Sequence, residues 1–258
     1  MGDGSELLQR LPALGFGFVL VLSRVGTAML TGPGLGETEI PGTIRAGLAL
    51  VFAILVFSTL NLVFPPVPED VTRLVGLLAA EIVIGAWMGF MTRVLVMALG
   101  MAGGILSLMI GLSSVLQIDP SVGGQVPALQ RLLSLGAIAL LFNTGLYALP
   151  VQAIVGTYAL MPPGDAFDTG AAARMVTAAI TESFSLAVRL AAPFIVTSMV
   201  WTTAMGFISR LIPTIQVHVV SAPAQIVGGL ALLVATVGAL LSGWTSGMGR
   251  LFSLLPGL

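Results

Sequence analysis

The chain has 258 residues, of which 57% are hydrophobic and only 8% charged, with a net charge of −1 and a mean hydropathy of +1.07. A soluble domain carries about 25% charged residues, so this surface cannot be dressed for water and the chain belongs with lipid. All ten cations are arginine and lie scattered, leaving no basic patch for nucleic acid; the absence of cysteine excludes disulfides, thiolate metal sites and cysteine nucleophiles.

At the amino terminus Asp3 and Glu6 outweigh Arg10, the wrong charge for a secretory leader. The apolar run at 11–30 therefore reads as a retained segment, and about 20 residues suffice to cross roughly 30 Å of hydrocarbon as a helix. Five more apolar stretches follow at 46–64, 74–112, 132–160, 186–208 and 219–241. Turn chemistry separates them: Pro33-Gly34 through Pro41-Gly42, Pro65-Pro66-Val67-Pro68, Asp119-Pro120 through Pro127, Met161-Pro162-Pro163-Gly164, and Arg210 through Pro213. Backbone polar groups must be satisfied internally in lipid, so the stretches are expected to be helices. The fold class is an all-α membrane protein of about six hydrophobic helical segments, several bent or broken.

The third stretch, at 39 residues, is too long for one crossing. It is either two helical pieces or one long helix projecting beyond the bilayer. Its glycines include two G-x-x-x-G spacings, Gly85/Gly89 and Gly100/Gly104, which let backbones approach closely within the chain or against another subunit. Counting alternate connectors, Arg10, Arg73, Arg174 and Arg250 fall on one side, and Arg45, Arg131 and Arg210 on the other. Four against three sets no orientation, which is unusual for a plain six-span protein.

Arg24, Glu81, Arg93 and Arg189 lie inside or at the edge of apolar stretches. A charge at mid-membrane costs about 2.5–3.5 kcal/mol on insertion scales, so each needs a partner, a wet cavity or an interface. Glu81 and Arg93 are twelve residues apart, about 18 Å along a helix, and cannot pair. Either Glu81 faces a polar seam or another subunit, or these side chains snorkel from helix ends. His218 stands alone, without neighbours for a metal site, and no hydrolase, metalloprotease or phosphate-loop motif occurs. Met97, Met101 and Met109 share a helical stripe, either packing filler or a deformable seal around a passage. The semi-polar connector 113–131 holds two prolines and Gly123-Gly124, and is either a surface loop or irregular backbone beside a water-filled cavity.

Read in order, a set of short pieces resembles the FliR family, the R subunit of the flagellar-type (type III) protein export gate. The pieces are Pro33-Gly34-Leu35-Gly36, Ile40-Pro41, Ile44-Arg45-Ala46-Gly47-Leu48, Glu81-Ile82-Val83-Ile84-Gly85, Gly89-Phe90 and Gly111-Leu112-Ser113. Asp119-Pro120, Pro127-Ala128-Leu129, Ala192-Pro193, Gly206, Arg210, Pro213 and Pro223 continue the pattern over residues 11–240. Where the family commonly has Asn-Gly-His, this chain reads Asn143-Thr144-Gly145, and Thr214 and Gln216 replace the usual polar pair after Pro213.

The resemblance implies no enzyme activity and no cofactor. It implies a single export-gate subunit over 1–258, with a P-like part at 11–175 and a Q-like helical hairpin at 176–245. The implied partners are the P and Q subunits, the B-type switch protein, unfolded export substrates and membrane lipid, in the basal body of the bacterial inner membrane. It further implies a channel plug at Gly111, Leu112, Ser113, Ser114, Val115 and Leu116. Gly123 and Gly124 are the candidate hinge, and Glu81 and Arg93 the candidate intersubunit polar contacts. A virulence secretion subunit is the homologous alternative. A secondary transporter, with Glu81, Arg93 and Arg189 along a solute path, is the rival from another class.

Overall fold

The computed structural model describes residues 3–37, 39–60, 64–119, 123–165, 167–211 and 217–258, and the side chains of these except at 3–10 and 217–220. Among the described residues eight helices follow in chain order: α1 (Asp3–Thr31), α2 (Gly42–Thr59), α3 (Val71–Val96), α4 (Ala98–Ile110), α5 (Ala128–Asn143), α6 (Ala148–Leu160), α7 (Thr169–Leu211) and α8 (Val217–Phe252). A two-stranded hairpin, β1 (Leu116–Asp119) and β2 (Gly124–Pro127), lies between α4 and α5. The all-α membrane class holds. Among the described residues five helices can cross a membrane by length and composition, or six if α5 and α6 together count as one span.

Three expected stretches resolve differently from a plain span. The over-long third one is two helices, α3 and α4, separated at Met97. The fourth is broken into α5 and α6 at Thr144 to Tyr147, with Gly145 in the left-handed region at φ 73°. Connector 113–131, read as loop or irregular backbone, holds the hairpin instead, pairing Leu116 with Pro127, Gln117 with Val126, Ile118 with Gln125 and Asp119 with Gly124. Pro120 and Pro213 lie outside the described residues, as does the side chain of His218.

Two compact units divide the chain. One comprises Met1–Val94, Tyr147–Ala179 and Phe252–Leu258; the other comprises Leu95–Leu146 and Ile180–Leu251. In the first, Leu20, Val21 and Val25 of α1 are buried with Ile84, Met88 and Met91 of α3 and Ala153 and Ile154 of α6. Gly85 and Gly89 set the α1–α3 approach: a Cβ on Gly85 would strike the Thr27 hydroxyl and Arg24 carbonyl, and one on Gly89 the Thr31 hydroxyl and Ala28 carbonyl. Phe18 of α1 meets Phe57 of α2 edge-on, ring centroids 5.6 Å apart. Asp168 caps the start of α7, its carboxylate accepting from the Ala171 N–H at 3.0 Å, and that bond holds its carboxyl below the usual range.

In the second unit, Leu99, Ala102, Leu106 and Ile110 of α4 are buried with Leu133, Ala137 and Leu141 of α5. Here too glycine sets the distance. A Cβ on Gly100 would meet Ser134, and one on Gly103 would lie 2.9 Å from the Gln130 Cα. Both G-x-x-x-G spacings thus serve contacts within the chain. Leu190 lies against Gly243 and Leu186 against Gly247, so α7 and α8 run antiparallel. At 1.5 Å per residue, the 43 residues of α7 extend about 65 Å, twice the hydrocarbon thickness.

Candidate functional site

Arg24 sits about two turns from the carboxyl end of α1 with no exposed surface, and Glu81 of α3 is 1% exposed. An enclosed guanidinium is tolerable only with geometry that replaces its water. Its Nε donates to Glu81 Oε2 at 2.6 Å and its Nη2 to Oε1 at 2.9 Å, a fork-to-fork pair that uses both carboxylate oxygens. The remaining Nη1 reaches Thr157 Oγ1 of α6 at 3.4 Å. Tyr158 lays its ring face 4.2 Å from the guanidinium carbon, where the negative face of the π-system attracts the cation. Three helices far apart in sequence converge on one side chain.

Arg93, near the end of α3, closes a second polar contact. Its Nε and Nη2 donate to the Thr31 and Gly32 carbonyls at 2.9 and 3.1 Å, at the carboxyl end of α1, and Glu37 lies 3.3 Å away. A cation there satisfies the Thr31 carbonyl, adds a donor to the Gly32 carbonyl, which already accepts from the Gly36 N–H at 3.2 Å, and complements the helix dipole. Within the chain, Glu81 and Arg93, the candidate intersubunit polar contacts, each have partners in their own unit, because the pairing groups on α1 are within reach. Of the four, Arg189 is exposed on a long apolar helix, and among the described residues nothing partners it.

The segment Gly111, Leu112, Ser113, Ser114, Val115, Leu116 begins at a helix cap. Gly111 takes φ 88°, the Leu112 N–H donates to Ser107 O at 2.8 Å, and the Gly111 N–H to Leu108 O at 3.3 Å. This cap stops α4 sharply and turns the chain out, since only glycine adopts that φ without strain. Val115 and Leu116 are about half exposed and Ile118 is 76% exposed. The far end is anchored: the Ala128 N–H donates to Val115 O at 2.8 Å, and Arg131 of α5 pairs with buried Asp119 at 3.0 Å. Gly123 forms the hairpin turn at φ 69° and Gly124 opens β2; a Cβ on either would meet open space. Met109 and Met101 are half-buried on α4, and Met97 falls at the break before it.

Sequence reading missed the Arg24–Glu81 pair although it marked both residues. The usable signal was two opposite charges in separate apolar stretches, each too expensive to leave alone. Among the described residues no three of His, Cys, Asp or Glu gather as a metal site.

The fold and these contacts define a helical membrane protein in which the buried charges of Arg24 and Glu81 brace helices of the same chain. The chain belongs to the bacterial export proteins, family 1, which match it over residues 16–251. It is 34% identical over 226 residues to the flagellar biosynthetic protein FliR of Caulobacter vibrioides, covering 88% of this chain and 90% of the relative. The protein of the same name from Bacillus subtilis is 24% identical, covering 84% of each chain. Yop proteins translocation protein T of Yersinia pestis is 25% identical, covering 85% of this chain and 84% of its own.

Proposed function

We propose that this chain is a structural and gating subunit of a flagellar-type (type III) protein export channel, seated in the bacterial inner membrane at the flagellar basal body. Its partners are the P and Q subunits of the gate and the B-type switch protein, and its passengers are unfolded export substrates. Residues 11–175 form the P-like part and 176–245 the Q-like hairpin, a division supported by the antiparallel run of α7 and α8. The flagellar role is favoured over virulence secretion by the higher identity to a flagellar relative, 34% against 25%.

One observation carries the reading. Helices α7 and α8 are too long for simple crossings, and Val200, Phe207, Val227 and Val234 are 65%, 63%, 68% and 77% exposed along them. Helices longer than the hydrocarbon is thick cannot hide so extended an apolar face in lipid alone and call for protein cover. Sibling subunits lining a conduit supply that cover; no catalytic step is involved. The mechanism is steric: the segment Gly111 to Leu116 closes the lumen, and the Gly123-Gly124 turn lets it move aside for a substrate.

Deleting 111–116 tests this. Gate complexes carrying the deletion are expected to assemble with normal stoichiometry and to pass ions and small molecules that the intact gate holds back. An assembled deletion mutant with unchanged permeability removes the plug from the mechanism.

A further inference from the structure

Helix α4 ends in a way that leaves work for another helix. The Gly111 cap satisfies the Ser107 and Leu108 carbonyls, but not that of Met109. Helix ends leave such carbonyls without intrahelical donors, and a buried one is costly unless something donates to it. Gln225 of α8 does so: its Nε2 donates to Met109 O at 2.8 Å. The same face of α8 carries Ile226, whose Cγ1 lies 3.7 Å from a Cβ built on Gly111. One turn further, Gly229 is so close to buried Ile110 that an added Cβ would come within 2.7 Å of its side chain. Beside this contact lies a cavity of roughly 120 Å³, lined by Gln225, Met109, Ile110, Trp201 and Gly229 among others.

We infer that Gln225 is the latch that holds the base of the 111–116 segment, a positioning residue that keeps the channel closed by gripping the end of α4. The inference rests on the plug reading above. A backbone carbonyl is gripped, so the hold is indifferent to the side chains of the plug itself. A single neutral hydrogen bond is weak enough to be broken and remade as substrates pass, and the cavity gives the released carboxamide somewhere to go. Losing the bond is expected to raise the population of the displaced plug about fivefold.

The test uses the assembled gate in membranes, read by ion leak and by substrate export. Four chains are compared with the parent: the 111–116 deletion, Gln225→Leu, Gln225→Glu, and Ile110→Cys combined with Gly229→Cys. Leucine removes the donor at similar volume, and glutamate sets a carboxylate against the carbonyl. Both are expected to leak about fivefold more than the parent while exporting. The parent has no cysteine, and a Cβ on Gly229 lies 3.1 Å from Ile110 Cβ, close to the roughly 3.5–4.5 Å of a disulfide. The oxidised pair is expected to seal the gate and stop export, with a reductant restoring it. A leaking deletion beside a sealed Gln225→Leu overturns the latch and leaves the plug standing. If neither leaks, plug and latch fall together. If the Gln225 variants do not assemble, the cysteine pair decides, because export at the same rate oxidised and reduced overturns the latch.

Discussion

Arg24 pairs with Glu81 where neither meets water, so each is indispensable only because the other is present. Removing one partner strands a buried charge, at about 3–5 kcal/mol, whereas replacing both with apolar side chains of similar volume is commonly near neutral. Arg24→Met and Glu81→Leu are each expected to lower the melting temperature and yield of the purified gate, and the double variant to recover most of the loss. Losses that simply add, as for independent sites, would show that the pair does not brace the helices. Asp168 behaves differently because it is exposed and its partner is the Ala171 N–H. A carboxyl held low contributes stability above its unfolded value, 3.8, and loses that contribution as pH falls through the lower folded value. Hydrogen exchange at Ala171 is expected to stay slow until the pH drops below the ordinary carboxylate range, and to be fast throughout in Asp168→Ala. Equal protection of the two proteins at neutral pH would remove the cap. The sequence marks both charges of the clamp as too costly to leave alone, but 57 residues separate Arg24 from Glu81, and hydropathy carries no information about which helices become neighbours.

At the level of elements, glycine does most to decide which helices touch. Gly85 and Gly89 face α1, whereas a Cβ on Gly47 of α2 would meet nothing within 4 Å. Gly85→Ala is expected to force α1 and α3 apart and disturb the Arg24 clamp, costing about 1–3 kcal/mol as overpacking does. Gly47→Ala should leave the fold of the chain unchanged, since helix propensity favours alanine. Comparable losses of folded protein for the two, measured by protease resistance in membranes, would refute this account of the α1–α3 seam. Close packing was legible from the G-x-x-x-G spacing, but the identity of each partner was not. The break at Met97 was also hidden, because neither glycine nor proline marks it. The hairpin escaped for another reason: four-residue strands are too short for a period of two to stand out, and Gly123-Gly124 marks a turn without saying what flanks it.

For the whole molecule, the question is what covers the long helices. Arg189 lies in α7, with Ala187 and Ala191 buried on either side of it in sequence, and is itself exposed. At mid-membrane an outward guanidinium in an apolar helix would cost about 2.5–3.5 kcal/mol unless a group outside the chain compensated it. The sequence places Arg189 in an apolar stretch, but only packing reveals that Arg24 and Arg93 are satisfied internally and Arg189 is not. If lipid alone surrounds α7, Arg189→Leu relieves a penalty: insertion improves and nothing else changes. If a sibling subunit meets it there, leucine strands that subunit's carboxylate or carbonyl. Truncating one side of such a contact typically costs 2 kcal/mol or more, so recovery of P- and Q-type subunits with the tagged chain is expected to fall about tenfold or further. Arg189→Lys, which keeps the charge, is expected to recover part of the loss. Insertion of the chain made without its siblings, measured in parallel, should be as good for leucine as for arginine. Full-yield co-purification and normal export by Arg189→Leu would mean that α7 faces lipid at this level, and that another stretch carries the contact between subunits.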